Sequence, residues 1–581
     1  MLLKTSYKAE MNKILDNKYY DLIISNSLVP IYNTTDNISE LNELHSLLHI
    51  PIDDKGACDL GENAYHLFPK LYTLEASVSV EKSGIGSVQQ SPGFGVLGRG
   101  VIVGVVDTGI DYRHPAFMFN DRTSRILSIW DQTAEEGTPP RGFSFGAEYT
   151  KENINFALLS DEPLSIVPVV DTNRHGTAIA SIMAGRPDDE HSFSGVVPDA
   201  DMLVVKLKEA KENLKKLFFV PKSALCYQET DIILGIRFLV STAQRLNRPI
   251  AICIAVGSSQ GGHDGRGPLS AYLERLVQSP RIGIAVSAGN EGNNLRHYYG
   301  DAQISPYISE FNLRVGTYDK QFSMEIWPYM PSRISVSIST PSQETSQVVS
   351  PALGVCQKIT FQSSQSTLWV NNISLEQETG DQVILIRFEN MDPGIWSFQI
   401  TNSEDEAFGY HCWLPAGNLI SNETFFLDAD PNTTITSPGN TLHPLTVTAY
   451  NQLNDNIINE SSRGYTRLGQ IKPDVAAPGF QVPCAIPDNQ YGTITGTGAA
   501  AAHATGVIAM VLEWAGSRGN YTAVTGNQAN RLIIRGARRN SGDAYPNNIW
   551  GYGQINAEKV FNQLGDNIRT EAPGSQQNSE S

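Results

Sequence analysis

The sequence has few cysteines and no long apolar run, and these shortages exclude several classes of protein. Its six cysteines are scattered without a CxxC pair, which argues against a zinc site and a disulfide framework and fits a reducing compartment. No apolar run approaches the ~20 residues that cross a bilayer. Residues 1–20 lack the apolar core and the small-residue cleavage site of a signal peptide. We therefore expect a protein made in the cytoplasm without a signal peptide and without a transmembrane segment.

Positive charge is also in short supply. The chain has 43 Lys and Arg against 61 Asp and Glu, a formal net charge of −18, which argues against nucleic acid and anionic membranes as main partners. The acidic stretch PDDEHS lacks the ligand pattern of a calcium loop, so we expect neither a metal nor a cofactor. With 40% hydrophobic and 18% charged residues, the composition is that of a globular protein.

Hydrophobic periodicity divides the chain into modules. Up to about residue 75, strand-like runs (YYDLIIS, AYHLFPKLYTL) accompany leucines at helical spacing in SELNELHSLLHI, which predicts a small α+β module. Those leucines are Leu41, Leu44, Leu47 and Leu48. A stretch rich in Gly, Ser and Pro follows, SGIGSVQQSPGFGVLGRG, and is typical of a linker.

Beyond residue 100, buried-strand runs such as GVIVGVVDTGID and PIAICIAVGSS alternate with helical patterns, which indicates a mainly parallel α/β sheet. Between about 305 and 435 the pattern changes to short alternating strands (RISVSIST, QVILIRFE, IWSFQIT), which predict a β sandwich or jelly roll. The α/β pattern resumes near 440, so the β module is inserted in the α/β domain. The final residues, GDNIRTEAPGSQQNSES, have the polar composition of a disordered tail.

Three positions carry candidate chemistry. Asp107 ends a buried strand in VVDTGIDYRHP, His175 begins a small-residue helix in HGTAIASIMAG, and Gly498 stands where an Ala-rich helix begins in TGTGAAAAHATG. Asp, His and Ser in this chain order form one of the known acyl-transfer triads, in which the His is the general base and the Asp fixes its tautomer. Here the third position is a glycine, which has no hydroxyl.

Six ordered motifs resemble the subtilisin-like serine proteases (family S8). They are DTGID, HGTAIASIMAG, GVVPDADMLVVKL, SAGNEG, KPDVAAPG and GTGAAAAHATG, and they cover most of 95–310 and 440–560. Further segments resemble the Csp group, the germination-associated subtilases of spore-forming clostridia and their relatives. These segments are FPKLYTLEASVSVEKSGI, GVIVGVVDTGIDYRHPAF, SRILSIWDQT, the SQGGHDG loop and the inserted β module.

The resemblance implies a subtilisin-like α/β fold with helices on both faces of the sheet, together with an α+β prodomain and an inserted jelly roll. The implied boundaries are a prodomain at 1–80, a subtilisin-like domain in two parts at 81–304 and 439–564, a jelly roll at 305–438 and a disordered tail at 565–581. In the Csp group the prodomain stays associated with the protease domain. Some members activate a cortex-hydrolase zymogen, whereas others are pseudoproteases that act in germinant sensing or in control of the active member.

The resemblance also implies roles for individual residues. Asp107 matches the catalytic Asp, His175 the general base and Asn290 the oxyanion-hole side chain. The segment Ala255, Val256 and Gly257 matches the edge that pairs with an extended substrate. Gly498 occupies the nucleophile position.

Two functions remain open. In the first, the chain is a spore-associated pseudoprotease that binds its own prodomain and also a germinant, other germination subtilases or the zymogen. In the second, it is an active or engineered-inactive serine endopeptidase that processes the zymogen. Gly498 favours the first, because no acyl-enzyme forms on glycine. The neighbouring hydroxyls of Thr495 and Thr497 are not expected to replace it, since adjacent residues at a helix start point about 100° apart.

Overall fold

The computed structural model describes residues 13–32, 37–52, 58, 60, 63–79, 96–191 and 193–570. Of the predicted linker at 83–100, residues 83–95 lie outside the described residues. The described residues form a subtilisin-like α/β unit with a β-rich insertion and an N-terminal module.

A nine-stranded sheet forms the centre of the α/β unit. Its neighbouring strands are parallel except at the two edges, where Ala147–Thr150 and Asn456–Ile457 run antiparallel to their partners. The strand order is Asn456–Ile457, Leu445–Asn451, Ile282–Ser287, Ile250–Ile254, Ile102–Asp107, Asp201–Lys206, Ile126–Asp131 and Ala147–Thr150, with Val475–Pro478 also paired to Leu445–Asn451.

Helices cover both faces of this sheet, as the sequence predicts. The strand Ile102–Asp107 is buried along its whole length, and successive side chains enter two different cores. One core is completed by the helices His175–Ala184 and Thr497–Leu512, and the other by Glu229–Arg245 and Pro268–Val277. Shorter or peripheral helices are Lys151–Leu158, Pro163–Ile166, Glu212–Leu217, Gly526–Gly536 and Ala557–Thr570.

One helical stretch, Thr497–Ser517, is long and apolar enough to cross a membrane by length and composition. Of its most apolar window, 89% is buried inside the protein. The stretch therefore serves as a core helix of the α/β unit.

The N-terminal module contains a three-stranded antiparallel sheet in the order Tyr19–Ser25, His45–Pro51, Ile38–Glu40. The helix predicted from the leucines at 41–48 is wrong. Residues 46–49 are buried in succession, and the strand pairs with Tyr19–Ser25 over its whole length. A run buried on both faces has no strand-like alternation, so the leucine spacing matched a helix by coincidence.

The insertion is a sandwich of a six-stranded and a four-stranded antiparallel sheet. Its strands include His297–Ala302, which pairs with Phe408–Trp413, so the insertion begins before the predicted boundary at 305. The other strands are Ile308–Val315, Gln321–Pro328, Ile334–Ser339, Gln357–Thr360, Thr367–Ile373, Val383–Glu389, Gly394–Asn402 and Phe425–Phe426. Phe388 and Phe398 meet between the two sheets within one hydrophobic core, with ring centroids 6.3 Å apart.

Cys58 and Cys356 form a disulfide that joins the N-terminal module to the sandwich. The scattered cysteines argued against a disulfide framework, and their spacing did not predict this single bridge. The two cysteines are 298 residues apart, and only the tertiary fold brings them together. The remaining cysteines are free and buried.

The C-terminal helix Ala557–Thr570 packs on the α/β unit through Val560, Phe561 and Leu564. The backbone of this helix continues to Thr570 and so overlaps the start of the tail that we predicted to be disordered (565–581). Residues 571–581 lie outside the described residues.

Candidate active site

Asp107 and His175 meet at the carboxyl end of the central sheet. Asp107 is the last residue of the strand Ile102–Asp107, and His175 is the first of the helix His175–Ala184. The His175 Nδ1 atom lies 2.8 and 3.0 Å from the two carboxylate oxygens of Asp107. Both side chains are 1% exposed. This contact fixes the ring orientation and leaves Nε2 as the free end of the imidazole.

A second buried carboxylate holds the start of the His175 helix in place. Asp171 accepts hydrogen bonds from the hydroxyls of Thr108 and Thr177, each at 2.7 Å. The Thr108 hydroxyl in turn accepts from the Gly176 amide at 2.9 Å. Because Thr108 directly follows Asp107, this network ties the end of the strand to the start of the helix.

Gly498 and Asn290 lie together on the other side of the site. Gly498 is the second residue of the helix Thr497–Leu512. The Asn290 side-chain oxygen accepts from the amide and the hydroxyl of Thr497, at 3.0 and 3.1 Å, which turns the amide nitrogen of Asn290 outward. Both the Gly498 N–H and Asn290 Nδ2 then donate to one acceptor, the carbonyl oxygen of Glu75, at 2.9 and 2.6 Å.

The chain around Glu75 runs through the site in extended form, and residues 71–79 are called the cleft segment below. Before Glu75, the strand Leu71–Leu74 pairs antiparallel with Val256–Gly257, and the Glu75 amide donates to the Ala255 carbonyl at 3.0 Å. After it, Ser77–Ser79 pairs with Gln490–Thr495. The Glu75–Ala76 peptide bond therefore crosses the centre of the site with a strand pair on each side.

The space beside Gly498 is tight, and a Cβ atom there requires its neighbours to shift by a few tenths of an ångström. A Cβ atom placed on this glycine would lie 3.3 Å from the carbonyl carbon of Glu75 and 3.1 Å from its oxygen. Gly498 has helical backbone and no positive φ, so a larger residue meets no backbone strain there. A hydroxyl at this position would face the carbonyl carbon of Glu75.

Neither neighbouring threonine hydroxyl is free to take that place. The Thr497 hydroxyl bonds Asn290 and accepts from the Gly289 amide at 3.1 Å. The Thr495 hydroxyl accepts from the Gln481 amide at 2.9 Å. Both hydroxyls are therefore already engaged in hydrogen bonds with neighbouring residues.

The side chain of Glu75 fills a buried pocket, which sequence reasoning did not find. The carboxyl is 2% exposed and accepts from the Thr436 hydroxyl at 3.1 Å. A Cβ at Gly257 would lie 2.0 Å from Glu75 Oε1, so the pocket exists because residue 257 is glycine. Burial and the nearby carboxylate of Glu291 raise the pKa of Glu75 to about 8. The alternation in TLEASVSV predicts a strand but not its partner.

Of the site residues expected from the sequence, Asn290, Gly498 and the segment 255–257 contact residues 73–75, and Asp107 and His175 contact each other. The additional residues are Glu75 and Thr436, together with the strand Gln490–Thr495. Within the part of the chain that the structure describes, no group of three or more His, Cys, Asp and Glu side chains could hold a metal ion.

Comparisons with known proteins identify the family of the chain. The model of the subtilase family (Peptidase S8) matches residues 98–553. The C5a peptidase of Streptococcus pyogenes serotype M6 is 22% identical over 463 residues, which are 74% of this chain and only 35% of that protein. An intracellular serine protease of Paenibacillus polymyxa is 25% identical over 234 residues, 40% of this chain and 55% of that protein.

Among solved structures, the CspB protease of Clostridium perfringens superposes with a TM-score of 0.73 at 25% identity. The match covers 82% of this chain and 97% of that chain. Because the α/β unit alone makes up less than 82% of the chain, the match must also include part of the N-terminal module, of the insertion or of both.

Proposed function

The chain belongs to the subtilase family and is of the Csp type, and we propose that it is a pseudoprotease that regulates spore germination by binding rather than cutting. One observation carries this proposal. The Glu75 carbonyl is held by the two donors that polarise a scissile carbonyl, and the residue facing its carbon is Gly498, which has no nucleophile.

In a working subtilase, Asn290 and the Gly498 amide would stabilise the oxyanion of the tetrahedral intermediate. His175 would accept the proton of the attacking hydroxyl, and Asp107 would hold the tautomer and stabilise the imidazolium. Without the hydroxyl no acyl-enzyme bond forms. In subtilisin, removal of the nucleophile lowers kcat about 2 × 10⁶-fold, and the remainder comes from binding and the oxyanion hole.

Binding without cutting follows from the same contacts. Main-chain pairing on both sides of Glu75 gives affinity for an extended segment and needs no covalent step. The chain's own prodomain would be the resident occupant of the cleft. The inserted sandwich then offers the surface for other partners, namely other germination subtilases or a cortex-hydrolase zymogen. We propose that this binding takes place in the spore.

A second candidate is a serine endopeptidase that processes the zymogen, of which this chain is an inactivated form. The observation that favours it is the preserved hydrogen bond between Asp107 and His175. The two candidates make the same prediction for the unmodified chain, and a natural Gly498 would favour the first.

Two assays test the proposal. The unmodified chain and its His175→Ala variant are compared for hydrolysis of an unfolded protein substrate, and we expect no difference between them above background. Hydrolysis by the unmodified chain that His175→Ala abolishes would contradict the proposal. The second assay purifies the chain from its native spores after cross-linking, where we expect a germination protease or its zymogen to accompany it.

A further inference from the structure

An open groove with apolar walls lies among the C-terminal helices of the α/β unit. It forms where the π-helical turn Glu513–Ser517 meets the helices Gly526–Gly536 and Ala557–Thr570. Its volume is about 370 Å³, and its apolar lining comes from Trp514, Tyr521, Val524, Leu532 and Leu564. A cavity of about 150 Å³ already admits a benzene ring, so this groove has room for more than one apolar side chain.

Two arginines stand at the rim of this groove. Arg531 and Arg535 are four residues apart on the helix Gly526–Gly536, so they share one face of it. Both are exposed, and within the described part of the chain neither side chain forms an ion pair or a hydrogen bond. The nearby carboxylate of Asp474 is already bonded to Lys472 at 2.6 Å. The groove therefore combines apolar walls with positive charge that is available to a partner.

The opposite combination is exposed at the end of the helix Lys151–Leu158. Phe156 and Leu159 are 66% and 87% exposed and lie three residues apart, on one face. Asp161 and Glu162 follow them, are exposed, and form no ion pair or side-chain hydrogen bond with the residues that the structure describes. These four residues are called the acidic patch below. Its apolar side chains gain free energy when another surface covers them.

One molecule cannot bring its own acidic patch to its own groove. The helix that carries the patch directly follows the edge strand Ala147–Thr150 of the central sheet. The groove lies beside the strand Ile282–Ser287, since the amide of Arg281 donates to the Val524 carbonyl at 2.7 Å. Four strands separate these two strands, which are therefore five spacings of about 4.8 Å apart, or roughly 24 Å. A contact between patch and groove must join two molecules.

We propose that the groove of one molecule receives the acidic patch of a second copy of this chain. The two apolar side chains of the patch enter the groove, and its two carboxylates pair with Arg531 and Arg535. Tryptophan, tyrosine and arginine are the residue types that most often carry the binding energy of protein interfaces, and all three line this groove. Because the two surfaces differ, the contact is head-to-tail, and a pair of molecules retains one free patch and one free groove for further copies.

This contact is separate from the cleft. Trp514 lies sixteen residues beyond Gly498 along one helical stretch, which is about 24 Å at 1.5 Å per residue. The proposal therefore goes beyond the proposed function of the cleft, and each can fail without the other.

Sedimentation velocity of the full chain tests the contact with two variants that each disrupt one surface. Leu159→Arg places a cation in the acidic patch, and Arg535→Glu places an anion at the groove, both at exposed positions. We expect the unmodified chain to associate as its concentration rises to about 100 μM. Each variant alone should weaken this association at least about tenfold and sediment as a 63.5 kDa monomer. Leu453→Arg and Arg141→Glu, at exposed positions elsewhere, are the matched controls and should associate like the unmodified chain.

A mixture of the two variants gives the sharpest result. The Leu159→Arg chain keeps an intact groove and the Arg535→Glu chain keeps an intact patch, so an equimolar mixture should form a one-to-one dimer and nothing larger. The inference is overturned by an unmodified chain that stays monomeric at about 100 μM, by association that either variant leaves unchanged, or by a mixture without the dimer. These readouts need neither peptide hydrolysis nor a spore partner, so they are independent of the tests of the proposed function.

Discussion

The two sides of the candidate active site use their polar groups differently. On the oxyanion side, the Asn290 side chain and the Gly498 amide both bond the carbonyl of Glu75. On the base side, the Nε2 atom of His175 is buried and has no hydrogen-bond partner among the described residues. The Asn290 side chain and the Gly498 amide, which bind a peptide carbonyl, are thus both hydrogen-bonded. The Nε2 atom of the His175 imidazole, which would accept a proton during catalysis, has no such partner among these residues.

This difference has an energetic meaning. The two hydrogen bonds to the Glu75 carbonyl stabilise the cleft segment in the site. In a working serine protease of this type, the hydroxyl of the nucleophile is the partner of the general-base histidine. The site therefore retains the buried Asp107–His175 pair of a catalytic centre together with the binding contacts of an occupied cleft.

The largest expected effect comes from restoring that partner with Gly498→Ser. The new hydroxyl would face the Glu75 carbonyl carbon and give His175 Nε2 a partner, so we expect self-cleavage between Glu75 and Ala76. Mass spectrometry should find fragments 1–75 and 76–581. Gly498→Ala adds the Cβ without the hydroxyl and should stay whole. An intact Gly498→Ser chain would mean that the base side has lost more than its partner.

The second effect separates the oxyanion side from the base side. In the Gly498→Ser chain, Asn290→Ala removes one of the two donors to the Glu75 carbonyl. The loss of one oxyanion donor slows acyl transfer by about 10²–10³-fold, so the time course of self-cleavage should lengthen by that factor. Cleavage at an unchanged rate would show that Asn290 does not act on the reacting carbonyl.

The third effect acts on binding alone. Gly257→Ala would place a Cβ 2.0 Å from Glu75 Oε1 and 2.4 Å from the Thr436 hydroxyl oxygen. Overpacking of this kind costs about 1–3 kcal/mol, so the cleft segment should open more often and become more sensitive to an added protease. Gly542→Ala, where nothing lies near the new Cβ, is the matched control. Equal sensitivity of the two variants would contradict the assigned pocket.

The smallest effect concerns the link between the N-terminal module and the sandwich. If self-cleaved Gly498→Ser chain is denatured without a reductant, the Cys58–Cys356 disulfide should keep fragment 1–75 attached. Reduction, or the Cys356→Ser variant, should release it. Release without reductant would show that the two cysteines are not bonded in the purified protein.

The sequence was informative where a local motif is tied to a local backbone. Four site positions could each be recognised from adjacent residues: Asp107 at a strand end, His175 and Gly498 at helix starts, and Asn290 in a glycine turn. Their order along the chain then indicated a single fold. The mainly parallel sheet followed from its continuous apolar runs, and it is confirmed.

Features that depend on distant segments could not be predicted. The run at 45–51 is buried by strands and helices remote in sequence, so its leucine spacing was misleading. The pocket of Glu75 needs Gly257 and Thr436, and the disulfide joins two modules. Such contacts leave no periodic signal in the segments that make them.

The intact mass of the unmodified chain tests the central claim most directly. The chain is purified, incubated alone for days and compared with His175→Ala treated in the same way. We predict one species of 63.5 kDa in both samples, because Gly498 offers no nucleophile to the Glu75 carbonyl. A fragment that begins at Ala76, accumulates in the unmodified chain and is absent from His175→Ala would contradict the account.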